Sequence, residues 1–252
     1  MSNLKVKTIL VSQPEPKVEN SPYFELQNKL KVKIDFRPFI HVEEVSAKEI
    51  RSQKIDLSHF TAIILTSRNS VDHYFRVAKE MRFAVPEDMK YFCQSEAVAF
   101  YLQRYVVYRK RKIYVGKKEF EDLIPMIKKY KDESFLLPAS DQLNEEIPSV
   151  LNGIKIKWTP AVFYKTVISD LSDLKDVYYD ILAFFSPSGI KSLFTNFPDF
   201  KQNNTRIAVF GPTTQKEALD HNLRIDILAP SKDTPSMTMA IEKYILEANK
   251  SK

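Results

Sequence analysis

Four stretches of the chain place hydroxyl side chains directly after an apolar run and directly before an amphipathic one: Thr66-Ser67, Ser95, Ser186-Pro187-Ser188-Gly189 and Gly211-Pro212-Thr213-Thr214. A strand that ends in Ser or Thr and turns into a helix presents the free N–H groups of the first helical turn, where the helix dipole also favours negative charge. Such a turn suits a carboxylate. In open α/β sheets, ligands bind at the carboxyl ends of the strands, where all four turns are expected. One turn alone is a helix cap; four facing one cleft point to a large ligand carrying several acidic groups.

Other chemistries lack their residues. His41, His59, His73 and His221 show no metal-ligand spacing, and four glycines leave neither a Walker loop nor a dinucleotide fingerprint, so no metal and no cofactor is expected. Ser186-Pro187-Ser188-Gly189 is not a nucleophile elbow. The single cysteine, Cys93, excludes an intrachain disulfide and reads as a packing residue beside Tyr91-Phe92. A formal charge of +6 predicts attraction to anions. The basic run Arg109-Lys110-Arg111-Lys112 reads as a solvated edge without a nucleic-acid-binding signature, so no nucleic-acid partner is expected. The start, Met1 to Lys7, carries no signal-peptide pattern, and no stretch approaches the ~20 apolar residues of a membrane helix, so a cytoplasmic, membrane-free protein is expected.

The elements that must position these turns alternate. With 252 residues, 44% hydrophobic and 28% charged, the composition is that of a folded chain with two domains. Strands are predicted at Lys7-Val11, Lys33-Phe36, Ala62-Thr66, Lys90-Cys93, Ser134-Leu137, Ile181-Phe185, Arg206-Phe210 and Arg224-Leu228, with helices between them, a pattern that builds α/β layers of parallel sheet flanked by helices. Ser21-Pro22 signals the start of the first helix. An internal duplication accompanies the turns: Thr66-Ser67 matches Phe185-Ser186, and Cys93-Gln94-Ser95 matches Gly211-Pro212-Thr213. Arg37-Pro38-Phe39-Ile40-His41-Val42 and Trp158-Thr159-Pro160-Ala161-Val162-Phe163-Tyr164 are both extended and aromatic, as paired crossing strands would be. The expected arrangement is a first lobe of residues 1–38 plus 168–252, a second lobe of 43–160, and a two-stranded β-ladder hinge of 37–45 and 158–167.

Phe184-Phe185-Ser186-Pro187-Ser188-Gly189 and Gly211-Pro212-Thr213-Thr214, followed by Ala218-Leu219, resemble the signature stretches of the uroporphyrinogen-III synthase family. Thr66-Ser67 with Val71, Val162-Phe163-Tyr164-Lys165-Thr166-Val167 and Lys232-Asp233-Thr234-Pro235-Ser236 fall in the matching order, so the resemblance spans nearly the whole chain. It implies two flavodoxin-like lobes and a cofactor-free reaction on hydroxymethylbilane, a linear tetrapyrrole bearing acetates and propionates. In that reaction the terminal hydroxyl leaves as water, the substituted carbon of ring D is attacked to give a spiro intermediate, and the macrocycle recloses with ring D inverted. The resemblance implies substrate-binding roles for Thr66, Ser67, Ser95, Ser186, Ser188, Gly189, Arg206, Gly211, Thr213 and Thr214, and a proton-donating or orienting role for Tyr164. It leaves open a transient contact with the upstream hydroxymethylbilane synthase.

Two positions depart from the family's pattern: Cys93, and Ala139-Ser140-Asp141 after Leu136-Leu137-Pro138, both where the family has glycine. A side chain there would block the close backbone approach that glycine permits, and Asp141 would repel a carboxylate. Cys93→Gly is accordingly expected to be tolerated or helpful. The alternative function is a non-catalytic module of the same fold that holds a tetrapyrrole or another polyanion.

Overall fold

The computed structural model describes residues 5–117, 119–143 and 145–250 and contains two sheets. The first comprises β1 (Thr8–Val11), β2 (Lys33–Phe36), β9 (Ile181–Phe184), β10 (Arg206–Phe210) and β11 (Ile225–Ala229), in the order β2-β1-β9-β10-β11. The second comprises β3 (Ile40–Glu44), β4 (Ala62–Leu65), β5 (Lys90–Cys93), β6 (Ile113–Val115), β7 (Ser134–Ser140) and β8 (Lys157–Ile168), in the order β3-β8-β7-β4-β5-β6. Every neighbouring pair in the first sheet is parallel, as are the pairs from β8 to β6 in the second.

Parallel strands buried on both faces need continuous apolar runs, and β4 (Ala-Ile-Ile-Leu) and β9 (Ile-Leu-Ala-Phe) supply them with every residue buried. Alternation then sends neighbours to opposite cores. In the first sheet, Ile9 and Val11 join Leu26 of α1 (Pro22–Leu30) and Ile241 of α9 (Met237–Lys250). Leu10 joins Phe184 and, from α7 (Pro187–Asn196), Ile190 and Leu193. In the second, Ile63 and Leu65 pack with Ile50 of α2 (Ala47–Ser52) and with Val71 and Tyr74 of α3 (Arg68–Glu80). On the opposite face Ile64 packs with Phe92, Phe135, Ile127 of α5 (Ile124–Lys129) and Leu151 of α6 (Glu146–Gly153). As the sequence indicates, Ser21 caps α1: the Tyr23 N–H donates to its Oγ at 3.4 Å, and Pro22 is the first helical residue.

The chain divides into two compact units, Met1–His41 with Val167–Lys252, and Val42–Thr166. The divisions fall within β3 and β8, which are neighbours in the second sheet. Taken in chain order within its own sheet, the first sheet reads 2-1-3-4-5, the flavodoxin-like order. The duplication pairs β4 with β9 and β5 with β10, and on that pairing β8-β7-β4-β5-β6 repeats β2-β1-β9-β10-β11 position for position. The two sheets share one spatial order with the chain entering at a different strand.

One strand runs further than its sequence signal. Pro138 marks an expected stop after Leu137, yet β7 continues to Ser140. The β4 ladder meets β7 only at Phe135 and Leu136, whereas pairing with β8 carries on through Pro138 to Ser140. Past Leu136 one edge of β7 is unpaired, which is where a residue without an N–H fits.

Candidate functional site

Within the Val42–Thr166 unit, β4 and β5 lie side by side, so the turns that follow them are neighbours. Ser67 is the N-cap of α3 in a reciprocal box: the Ser70 N–H donates to Ser67 Oγ at 3.1 Å and the Ser67 N–H donates to Ser70 Oγ at 3.1 Å. Thr66 is the half-buried link from β4 into this cap. Ser95 caps α4 (Glu96–Leu102), accepting from the Val98 N–H at 3.4 Å. Both turns thus satisfy helix N–H groups with their own hydroxyls.

Tyr164 of β8 comes to the first of them. Its hydroxyl lies 3.5 Å from Ser67 Oγ, uniting residues 97 apart in sequence, and the residue is only 7% exposed. Burial raises the phenol's pKa and the Ser67 hydrogen bond partly opposes the rise, so Tyr164 holds its proton at neutral pH. Its ring stacks on the His73 imidazole, with centroids 4.8 Å apart and planes at 20°. His73 has no place among the expected site residues because a histidine on the inner part of a helix carries no spacing signal; only the fold brings α3 against β8.

Cys93 is not an obstacle at these turns. The Cys93 side chain is fully buried in the core with Leu65, Tyr91 and Val98, and burial pushes its thiol up to about 12. Ladder register shows why it faces inward. Leu65 pairs with Cys93 and Phe184 pairs with Val209, and Leu65 and Phe184 each precede a capping serine by two residues. Cys93 therefore corresponds to the buried Val209, and the partner of Gly211 is Ser95, two residues further on than the sequence match suggests. The expectation that Cys93→Gly would be harmless is corrected accordingly: it would open a hole in the core. Asp141 lies beside Tyr164, its Oδ1 accepting the Thr166 N–H at 2.9 Å while its own N–H donates to the Tyr164 carbonyl at 3.2 Å.

Within the other unit, β9 and β10 are neighbours and so are the turns after them. Ser186, rather than Ser188, is the N-cap of α7, accepting from the Gly189 N–H at 3.3 Å; Ser188 sits inside the first turn. The nearest atoms to a Cβ on Gly189 would be Phe184 Cδ1 at 3.4 Å and the Ser12 and Ser186 hydroxyl oxygens at 3.7 Å, ordinary contacts. Ser12 itself follows β1, its N–H donating to the Ala183 carbonyl at 3.0 Å, and it borders this turn. It shows the same apolar-run-then-hydroxyl signature as the other turns, but Gln13-Pro14 rather than a helix follows it.

Gly211 caps α8 (Pro212–Asp220) with φ +83° and ψ 160°, a region closed to side-chain-bearing residues, and its N–H donates to the Ala229 carbonyl at 2.7 Å. No side chain among the described residues caps α8. Thr213 is exposed, whereas Thr214 is buried and its hydroxyl has no hydrogen-bond partner among the described residues. An uncapped first turn on a helix of nine residues, with a buried hydroxyl beside it, is suited to accepting an anion.

Arg206 is the one expected binding residue that the structure does not bring to these turns. It opens β10, buried, with its N–H donating to the Asp180 carbonyl at 2.9 Å. The turn at Gly211 closes the same strand, so the two stand at opposite ends, about 15 Å apart for a strand of this length. Proximity in sequence along an extended strand is separation in space.

The fold and these turns define a mixed α/β protein of two parallel sheets with helix N-termini gathered at the carboxyl ends of the strands. The sequence model of the uroporphyrinogen-III synthase HemD family matches residues 23–239, and the chain belongs to that family. It is 30% identical over 140 residues to the uroporphyrinogen-III synthase of Saccharomyces cerevisiae, a match that covers 49% of this chain and about half (50%) of the relative's length. Among solved structures, a mutant uroporphyrinogen III synthase from the extremely thermophilic bacterium Thermus thermophilus matches with a TM-score of 0.61 at 13% identity, covering 96% of this chain and 99% of that one. Uroporphyrinogen-III synthetase from Helicobacter pylori 26695 matches with a TM-score of 0.60 at 18% identity, covering 97% and 99%. These two share the fold. No helix among the described residues is long and apolar enough to cross a membrane.

Proposed function

We propose that this protein cyclises hydroxymethylbilane to uroporphyrinogen III, with loss of water and inversion of ring D. The observation that carries the reading is the placement of the family's two signature stretches, Phe184 to Gly189 and Gly211 to Thr214, at adjacent strand ends where α7 and α8 begin. Backbone N–H groups there suit the acetate and propionate groups of the substrate.

Tyr164 takes the oxygen of the departing hydroxyl. Its buried phenol keeps its proton, and among the described residues the hydroxyl is tied only by the long contact to Ser67, so it is able to donate to a substrate oxygen. Burial disfavours the tyrosinate that full proton transfer would leave, so the group supports departure of water chiefly as a positioned hydrogen-bond donor. Pyrrole nitrogen supplies the electronic push that expels the hydroxyl. The remaining work of the protein is conformational, holding the linear chain so that ring D meets the new electrophilic carbon through its substituted position.

The test is the isomer composition of the product from purified protein and freshly made hydroxymethylbilane. The expected result is type III ring; type I alone, the product of spontaneous closure, would identify a non-catalytic tetrapyrrole- or polyanion-binding module instead.

A further inference from the structure

The Ser67 contact is too long to fix Tyr164. At 3.5 Å it lies at the outer limit of a hydrogen bond, and the Ser67 oxygen already accepts from the Ser70 N–H. A phenol hydroxyl stands at the far end of its ring, so a small tilt of the ring displaces the reacting group. Among the described residues, the aromatic face that restrains the ring at a defined angle is the imidazole of His73.

His73 is itself held in a defined state. Arg76 Nε donates to His73 Nδ1 at 3.3 Å, and a guanidinium only donates, so Nδ1 carries the lone pair and the ring proton sits on Nε2. Arg76 in turn donates through Nη2 to the carbonyls of Val45 at 2.9 Å and Phe163 at 3.0 Å, and through Nη1 to Glu80 at 2.6 Å. Phe163 immediately precedes Tyr164, so the same arginine locks the imidazole and the backbone that carries the phenol. The groups acting on the imidazole are Arg76, which with burial favours its neutral form, and Glu44 and Asp72, which oppose; burial is the largest influence and the pKa is lowered. Protonation would remove the Nδ1 lone pair and set an imidazolium against the guanidinium.

We propose that His73 is a positioning residue for Tyr164, fixing by ring stacking the place at which the phenol meets the departing hydroxyl. The inference rests on the role given to Tyr164 above. Displacements of the order of 1 Å at a reacting group cost up to ~10²-fold in rate, so loss of the stack should be visible in turnover and in isomer fidelity, because misplaced substrate escapes to type I ring.

The experiment compares His73→Phe, which keeps a flat face, with His73→Leu, which fills similar space without one, alongside Tyr164→Phe and the double variant His73→Leu/Tyr164→Phe. Thermal melting is recorded for each. His73→Leu should lower kcat about tenfold with little change in KM and raise the type I fraction, while His73→Phe retains wild-type fidelity. In the Tyr164→Phe background, His73→Leu should add nothing, since the hydroxyl it positions is gone. Equal kcat and equal isomer ratio in the Leu and Phe variants, whatever their melting temperatures, would overturn the inference. If Tyr164→Phe alone changes neither rate nor ratio, the role of Tyr164 fails; if it lowers turnover while His73→Leu does not, only the role of His73 fails.

Discussion

Ser95 and Gly211 occupy the same place in two sheets of the same order, and they do opposite things with it. Ser95 engages one N–H of the first turn of α4, that of Val98, with its own hydroxyl. Gly211 offers no side chain, and among the described residues nothing caps the first N–H groups of α8 or partners the nearby hydroxyl of Thr214. Within one strand order the two units differ at this turn: α8 begins without a side-chain cap, whereas α3, beside Tyr164, and α4 are capped by their own serines. A glycine cap gives up only a few tenths of a kcal/mol against a serine, so leaving those N–H groups open costs the fold little.

Four substitutions probe the contrast. Gly211→Ala should cost the most, about 2–3 kcal/mol in urea unfolding, because its conformation is almost exclusive to glycine even though a Cβ there would meet nothing within 4 Å. A cost near zero would show that backbone geometry does not explain the glycine. Cys93→Gly should cost about 2 kcal/mol through a core cavity and a glycine within a strand. The same burial predicts that a thiol reagent labels Cys93 in the unfolded protein and not in the folded one; rapid labelling of the native state would contradict its inward placement.

Thr214→Val should move the other way, stabilising by about 1 kcal/mol as a buried unpaired hydroxyl is removed, while raising KM for hydroxymethylbilane. Stabilisation without any kinetic effect would detach Thr214 from substrate. Ser95→Gly is the mildest, a few tenths of a kcal/mol, since glycine is itself an acceptable cap. An increase in KM there as large as that of Thr214→Val would erase the difference between the two turns.

Much of this was legible in the sequence where local chemistry and fold agree. Apolar runs ending in hydroxyls marked β4, β5, β9 and β10 and the helices after them, and Ser21-Pro22 marked α1. β6 went unmarked because its three residues follow the basic run Arg109 to Lys112, which offers no strand pattern of its own. The remaining errors share one cause: pairing register and strand direction are properties of neighbours. They decided that Cys93 aligns with Val209 rather than Gly211, that β7 passes through Pro138, and that Arg206 lies at the far end of β10. The meeting of Tyr164, Ser67 and His73 was legible only for the first two, through the family resemblance, and the stack that joins the third depends on α3 packing against β8.

The shared strand order also has a consequence for how the chain is made. In the Val42–Thr166 unit every strand of the sheet from β4 to β8 is available once that contiguous stretch has left the ribosome. In the other, Ile9 pairs with Ile181, so β1 and β2 emerge first and wait for β9. At ordinary rates of synthesis, about 5–20 residues per second, that delay is on the order of ten to thirty seconds. During it, β1 has β2 along one edge and nothing along the other, and its apolar Ile9-Leu10-Val11 is open to contact with other nascent chains. These two strands wait longest for their partner, which makes the segment that carries them, rather than the inserted unit, the part of this protein with most need of a chaperone.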